Sequence, residues 1–105
     1  MRFLTLKIML CLLLSLIISR IEANTNNYSI SGRISDERTG SPLPGASILI
    51  KGTYLWAVSD QKGEFTIQGV QEGKYQLEVS FLGYVPATVP VNVNNSIKGL
   101  KIQLN

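Results

Sequence analysis

Beyond an apolar first stretch, hydrophobic residues in this chain recur at alternate positions, and glycine, proline and asparagine break them into short runs. The clearest run is residues 74–82. Tyr75, Leu77, Val79 and Phe81 fall on one side, and Gln76, Glu78 and Ser80 on the other. Period two with one polar face predicts a half-buried β-strand. Residues 28–36 alternate likewise, with Tyr28, Ile30, Gly32 and Ile34 opposite Ser29, Ser31, Arg33 and Ser35. Gly32 on the apolar side leaves a gap where another backbone can approach. Further strands are predicted at 46–51, 56–59, 64–68, 87–93 and from about Gly99 onward. Pro86 and Pro90 lack N–H donors, so 87–93 is an edge strand or begins irregularly. Trp56 and Val58 share a face at the start of a short strand, which leaves Trp56 partly exposed.

The breaks carry specific turn chemistry. Pro44-Gly45 suits a type II turn, because proline pre-sets φ at the first central position and glycine supplies φ > 0 at the second. Asp60-Gln61-Lys62-Gly63 suits a type I turn closed by a left-handed glycine, joining two strands as a hairpin. Gln71-Glu72-Gly73 and Asn94-Asn95-Ser96 mark two more turns. Six or seven short strands with a turn signal between each argue for an all-β sandwich. A single sheet would leave an apolar face in water, whereas two sheets packed face to face bury both.

The apolar first stretch belongs to a different category. Arg2 and Lys7 precede an apolar run from Ile8 to Ile18, interrupted by Ser15, with Ala23 at the end of the segment. That run is too short for a bilayer span, which needs about 20 residues. Residues 1–23 read as a cleaved export signal with processing before Asn24, followed by a flexible polar leader, 24–27. Cys11 lies inside the apolar run, not at its end, which argues against lipid attachment. The charge changes with processing. The whole chain carries +3, but residues 24–105 hold seven basic and six acidic side chains, a net of +1. Their signs alternate, and no basic cluster interleaves with aromatics, so nucleic acid is not an expected partner.

Candidate chemistry is sparse. The chain has no histidine, and its single cysteine leaves with the signal. Ser-His-Asp and Cys-His arrangements are therefore excluded. Asp36 and Glu37 are adjacent and point to opposite faces of a strand. Asp60 with Glu64 is better explained by Asp60 bonding to the backbone of its own turn. Ser59, Asp60 and Glu64 supply too few oxygens for calcium. No catalytic, metal or cofactor residue is expected, and the chain is not read as an enzyme. What remains is aromatic. Tyr54 and Trp56 sit between Gly52 and the Asp60 turn, where they either cap an open end of the sandwich or contact a ligand or partner.

The order G-x-P-L-P-G-A from Gly40, K-G-T from Lys51, S-D-x-x-G-x-F from Ser59 and F-L-G-Y from Phe81 resembles the carboxypeptidase regulatory-like domain. The resemblance covers residues 28–105. It implies a seven-stranded Greek-key β-sandwich similar to transthyretin, of the kind found at the N-terminus of TonB-dependent outer-membrane receptors. It also implies that Phe81-Leu-Gly-Tyr84 is structural, with the Tyr84 hydroxyl reaching a backbone partner. Trp56 departs from the family, which usually places small residues there. The expected function is a non-catalytic, exported module, periplasmic and associated with the outer membrane, that binds a protein partner. It is either the N-terminal accessory domain, or a truncated start, of such a receptor, or a stand-alone module, since residues up to Asn105 carry no plug or barrel. The alternative is a carbohydrate-binding-like module, with Tyr54, Trp56 and Tyr84 as the contact residues.

Overall fold

A computed structural model describes residues 5–11 and 26–105. Residues 5–11 are helical and exposed. The cleavage position and most of the expected signal lie outside the described residues; of the expected flexible leader, 24–27, Asn27 already pairs with Gln71 as the first residue of a strand. No helix among the described residues is long and apolar enough to cross a membrane.

Seven strands follow: β1 (Asn27–Asp36), β2 (Ser47–Ile50), β3 (Trp56–Val58), β4 (Glu64–Gln71), β5 (Gly73–Ser80), β6 (Ala87–Val93) and β7 (Ile97–Leu104). They form two sheets, one ordered β4-β1-β7 and the other β3-β2-β5-β6. All pairings are antiparallel except β1 with β7, which run parallel. The core lies between the sheets. Ile30 and Ile34 of β1, Ile48 and Ile50 of β2, and Leu77 and Val79 of β5 are fully buried. Those of β1 and β5 are the inward positions that the alternation predicts.

Several boundaries differ from the expected ones for local reasons. β4 runs on to Gln71 because Gly69, at φ 76°, makes a bulge instead of ending the strand, and Val70 stays buried. The register of β1 against β4 shifts at the same level, between Tyr28 and Ile30. β7 starts at Ile97, ahead of Gly99. Gly99 has φ 69°, and the β1–β7 register steps from Ile30↔Ile97 to Gly32↔Leu100, so one extra residue is accommodated there. A Cβ at Gly32 would collide with the Leu100 carbonyl, so the gap on β1 is filled by the backbone of β7. β6 is an edge strand, as Pro90 in its middle requires.

The Asp60 turn forms as expected but joins different partners. Gly63 N–H donates to the Asp60 carbonyl at 2.9 Å, and Gly63 has φ 75°. Yet β3 pairs with β2, and β4 with β1 in the other sheet. The expected hairpin is therefore a crossing between sheets.

Candidate functional site

The aromatic candidates are positioned by the β2–β3 hairpin. Thr53 clamps its tip: its Oγ1 donates to the Ile50 carbonyl at 2.8 Å and accepts from Leu55 N–H at 3.1 Å. With the tip closed on itself, Tyr54 points away from the protein and is 99% exposed. Trp56 and Val58 lie on the outward face of β3 and are 63% and 50% exposed. The expectation of a partly exposed Trp56 agrees with this placement. The capping arrangement does not: Leu55 and Ala57 turn toward the core, while Tyr54 and Trp56 project into solvent.

Tyr84 is elsewhere and differently engaged. β2 is antiparallel to β5, with Ser47 opposite Ser80 and Ile50 opposite Leu77. The β2–β3 tip after Ile50 and the Phe81–Tyr84 loop after Ser80 therefore lie at opposite ends of the sheet. The structure brings Tyr54 and Trp56 together and leaves Tyr84 apart. Its ring packs on Phe81 at a centroid distance of 5.6 Å. Its hydroxyl donates to Asp36 Oδ2 at 2.7 Å, so the partner is a carboxylate and not the expected backbone group. Asp36 ends β1, and its Oδ1 accepts the N–H groups of Arg38 at 2.8 Å and Thr39 at 3.0 Å. The Tyr84 hydroxyl, with the Thr39 N–H next, holds the Asp36 carboxyl below the usual aspartate range. The same bond raises the Tyr84 phenol. Asp36 was weighed in the sequence only as one of a carboxylate pair; its role as the partner of Tyr84 is what sequence reasoning missed. The available signal was an aspartate followed by Arg38-Thr39-Gly40, a turn in which a carboxylate caps two amides.

The remaining polar candidates are used structurally. Asp60 Oδ1 accepts N–H groups from Lys62 and Glu64, each at 2.9 Å. Ser59 is buried; its hydroxyl donates to the Leu43 carbonyl at 2.6 Å and accepts from Ala46 N–H at 2.8 Å. That hydroxyl ties the Pro44-Gly45 turn to the end of β3. A shallow cleft of about 640 Å³ covers the outer face of the three-stranded sheet. Glu64, Arg33 and Lys101 cross it in register, and the guanidinium of Arg33 donates from Nε to the Lys62 carbonyl at 3.1 Å. Its mixed charges and hydroxyls form a solvated face with no acid–base pair.

On the sandwich, residues 26–105, the large exposed hydrophobic side chains fall in two patches. One is Tyr54, Trp56 and Val58 on the β2–β3 hairpin; the other is Leu82 and Val85, 95% and 67% exposed, on the β5–β6 loop. Neither holds a nucleophile or a base.

Comparison with known proteins agrees with the motif reading. The family model described as CarboxypepD_reg-like domain matches residues 30–105. TonB-dependent receptor SusC of Bacteroides thetaiotaomicron is 33% identical over 85 residues, which is 81% of this chain and 8% of that protein. TonB-dependent receptor P3 of Formosa agariphila is 32% identical over 92 residues, 88% of this chain and 9% of that protein. The chain thus spans less than a tenth of the length of either receptor. Among solved structures, two interface mutants of the type II cohesin–X-dockerin complex of Acetivibrio cellulolyticus contain chains of similar fold. Their TM-scores are 0.64 and 0.65 at 27% and 26% identity, covering 73% of this chain and 56% of each matched chain. With two packed sheets, the four motifs in order and a family match from Ile30 to the last residue, the chain belongs to the CarboxypepD_reg-like domain family.

Proposed function

We propose that this chain is an exported, non-catalytic interaction module of the bacterial outer envelope, the N-terminal accessory domain of a TonB-dependent receptor. The observation that carries this reading is the relatedness of nearly the whole sandwich to segments of two TonB-dependent receptors. The export-signal pattern of residues 1–23 supports delivery to the periplasm. The absence of histidine from the sequence, the structural use of Asp36, Ser59 and Asp60, and the two exposed apolar patches favour binding over catalysis. The related folds found in a cohesin–X-dockerin complex are themselves parts of a protein assembly, which supports a protein partner.

Fractionation of the source cells tests this directly. The chain, or the receptor that carries it, is expected in the outer-membrane fraction. A periplasmic crosslinker is expected to join it to an outer-membrane protein. Retention in the cytoplasm would overturn the reading. The carbohydrate alternative now rests on Tyr54 and Trp56 without Tyr84. A saturable shift of Trp56 emission on titration with neutral oligosaccharides would favour it, because stacking removes water from the ring face. A flat titration is expected.

A further inference from the structure

We propose that the free edge of β3 accepts an extended segment of a partner protein as an added strand, whose alternate apolar side chains pack on Trp56 and Val58. This deepens the protein-binding reading above and rests on it.

The backbone at this edge has a defined polarity. Ile50 N–H donates to the Leu55 carbonyl, and Ser59 N–H donates to the Ala46 carbonyl, while Gly45 N–H donates to the Ser59 carbonyl. Ala57 stands opposite Ile48 between them. In an antiparallel pair, alternate residues bond to the partner and the intervening ones point away. Leu55, Ala57 and Ser59 face β2; the N–H and C=O groups of Trp56 and Val58 therefore face outward. β3 is the last strand of its sheet, so among the described residues this row meets no further strand. Donors and acceptors in that order and spacing complement another extended backbone.

The other edges are blunted by known devices. β6 carries Pro90 in its middle. β4 carries Glu64 and the Gly69 bulge, and β7 carries Lys98, Lys101 and the Gly99 bulge. β3 reads Trp56-Ala57-Val58, guarded by its three-residue length but by no charge, proline or bulge. Its outward side chains are apolar and continue onto half-buried Leu49, which pairs with Trp56. A second copy of this chain is a poor occupant. Edge-to-edge pairing of two three-residue strands falls far short of the roughly 1,200 Å² of a stable interface. A longer partner segment can run past both ends of β3 and use Tyr54 as well.

Selection from a phage-displayed library of random peptides, each about a dozen residues long, against the exported chain tests the edge itself. Selected peptides are expected to alternate apolar residues, to lack central proline and to shift Trp56 emission to shorter wavelength on binding. Val58→Pro removes one outward N–H and leaves the bonds of Ala57 and Ser59 to β2, so affinity should fall by about tenfold or more. Trp56→Ala, which keeps the backbone row, should weaken binding while the urea midpoint stays near that of the parent; it covers the case of a Val58→Pro chain that does not fold. Leu82→Ser at the opposite end should change nothing. Peptides that bind Val58→Pro and Trp56→Ala as well as the parent, a library that yields no binder, or sensitivity to Leu82→Ser alone would overturn the proposal. Sedimentation showing a dimer abolished by Val58→Pro would also overturn it, in favour of self-pairing. Export and receptor membership are read by fractionation, so failure at the edge leaves that reading standing.

Discussion

The Asp36–Tyr84 hydrogen bond joins the end of β1 to the loop after β5, and it titrates. Asp36 is held below the usual aspartate value chiefly by the Tyr84 hydroxyl. A carboxyl with a depressed folded-state pKa stabilises the fold above its unfolded value, near 4, and the contribution is lost as pH falls through the folded value. Tyr84 is raised by the same bond, so its contribution is lost as pH climbs past about 10. The bond therefore works at neutral pH and fails at both extremes. Tyr84→Phe should lower the urea midpoint at pH 7, and the gap from the parent should narrow as pH falls below the usual aspartate range. A gap that persists unchanged into acid would show that the ring's packing on Phe81, not its hydroxyl, is what was lost. Glycines give a second contrast at this scale. Gly63 and Gly52 both have positive φ, 75° and 83°, but a Cβ at Gly63 would strike the Ile34 carbonyl while Gly52 faces open space. Gly52→Ala should cost about 1 kcal/mol, the penalty of left-handed backbone alone. Gly63→Ala should cost clearly more, because β1 must also move. Equal midpoints in urea would contradict that ordering.

Strands, not polar residues, hold the sandwich together. Leu77 is fully buried at the centre of β5, between β2 and β6. Leu77→Ala should cost about 3 kcal/mol from lost transfer energy and the cavity left behind. Asp60 makes two local bonds to exposed amides, so Asp60→Ala should cost only about 1 kcal/mol. Urea denaturation of the two variants checks the order, and a calcium-dependent midpoint in the parent would show that Asp60 has work beyond its turn. The inward positions of β1 and β5 were legible because alternation reports directly which side chains leave water. Gly45 and Gly63 were legible because positive φ selects glycine. Strand partners were not. Alternation in residues 64–68 is the same whether β4 pairs with β3 or with β1, and nothing local distinguishes a crossing from a hairpin. Bulges at Gly69 and Gly99 were misread as strand ends for the same reason: glycine marks a break in the ladder but not whether the strand resumes. The exposed aromatic hairpin was legible as to place. Tyr84 was not, because its partner Asp36 lies far along the chain and is visible only once β1 and β5 are placed.

The two sheets are tied together at the ends of the domain. β7 pairs in parallel with β1, so the last strand completes the sheet that the first one starts. Ile102 and Leu104 complete the core against Ile30 and Ile34, and Leu104 and Asn105 carbonyls accept the N–H groups of Glu37 and Val85 at 2.9 and 2.7 Å. Four of the six connections cross between sheets: β1 to β2, β3 to β4, β4 to β5 and β6 to β7. No single hairpin therefore contains a closed core. Loop closure must be met before the β1–β7 contacts form, which places this pairing late in folding. A chain ended at Val93 should consequently lose the whole sandwich and not just one strand. It would expose Ile30 and Ile34 and strip β1 of one of its two partners, leaving a two-stranded remnant of the first sheet, which is marginal in water. Amide signals should collapse to the unfolded range and the urea transition should lose its cooperativity. A cooperative transition surviving truncation would mean that the four-stranded sheet folds on β1 and β4 alone. In that case β7 would be available to leave the domain, and the order of assembly argued from its sequence distance would be wrong.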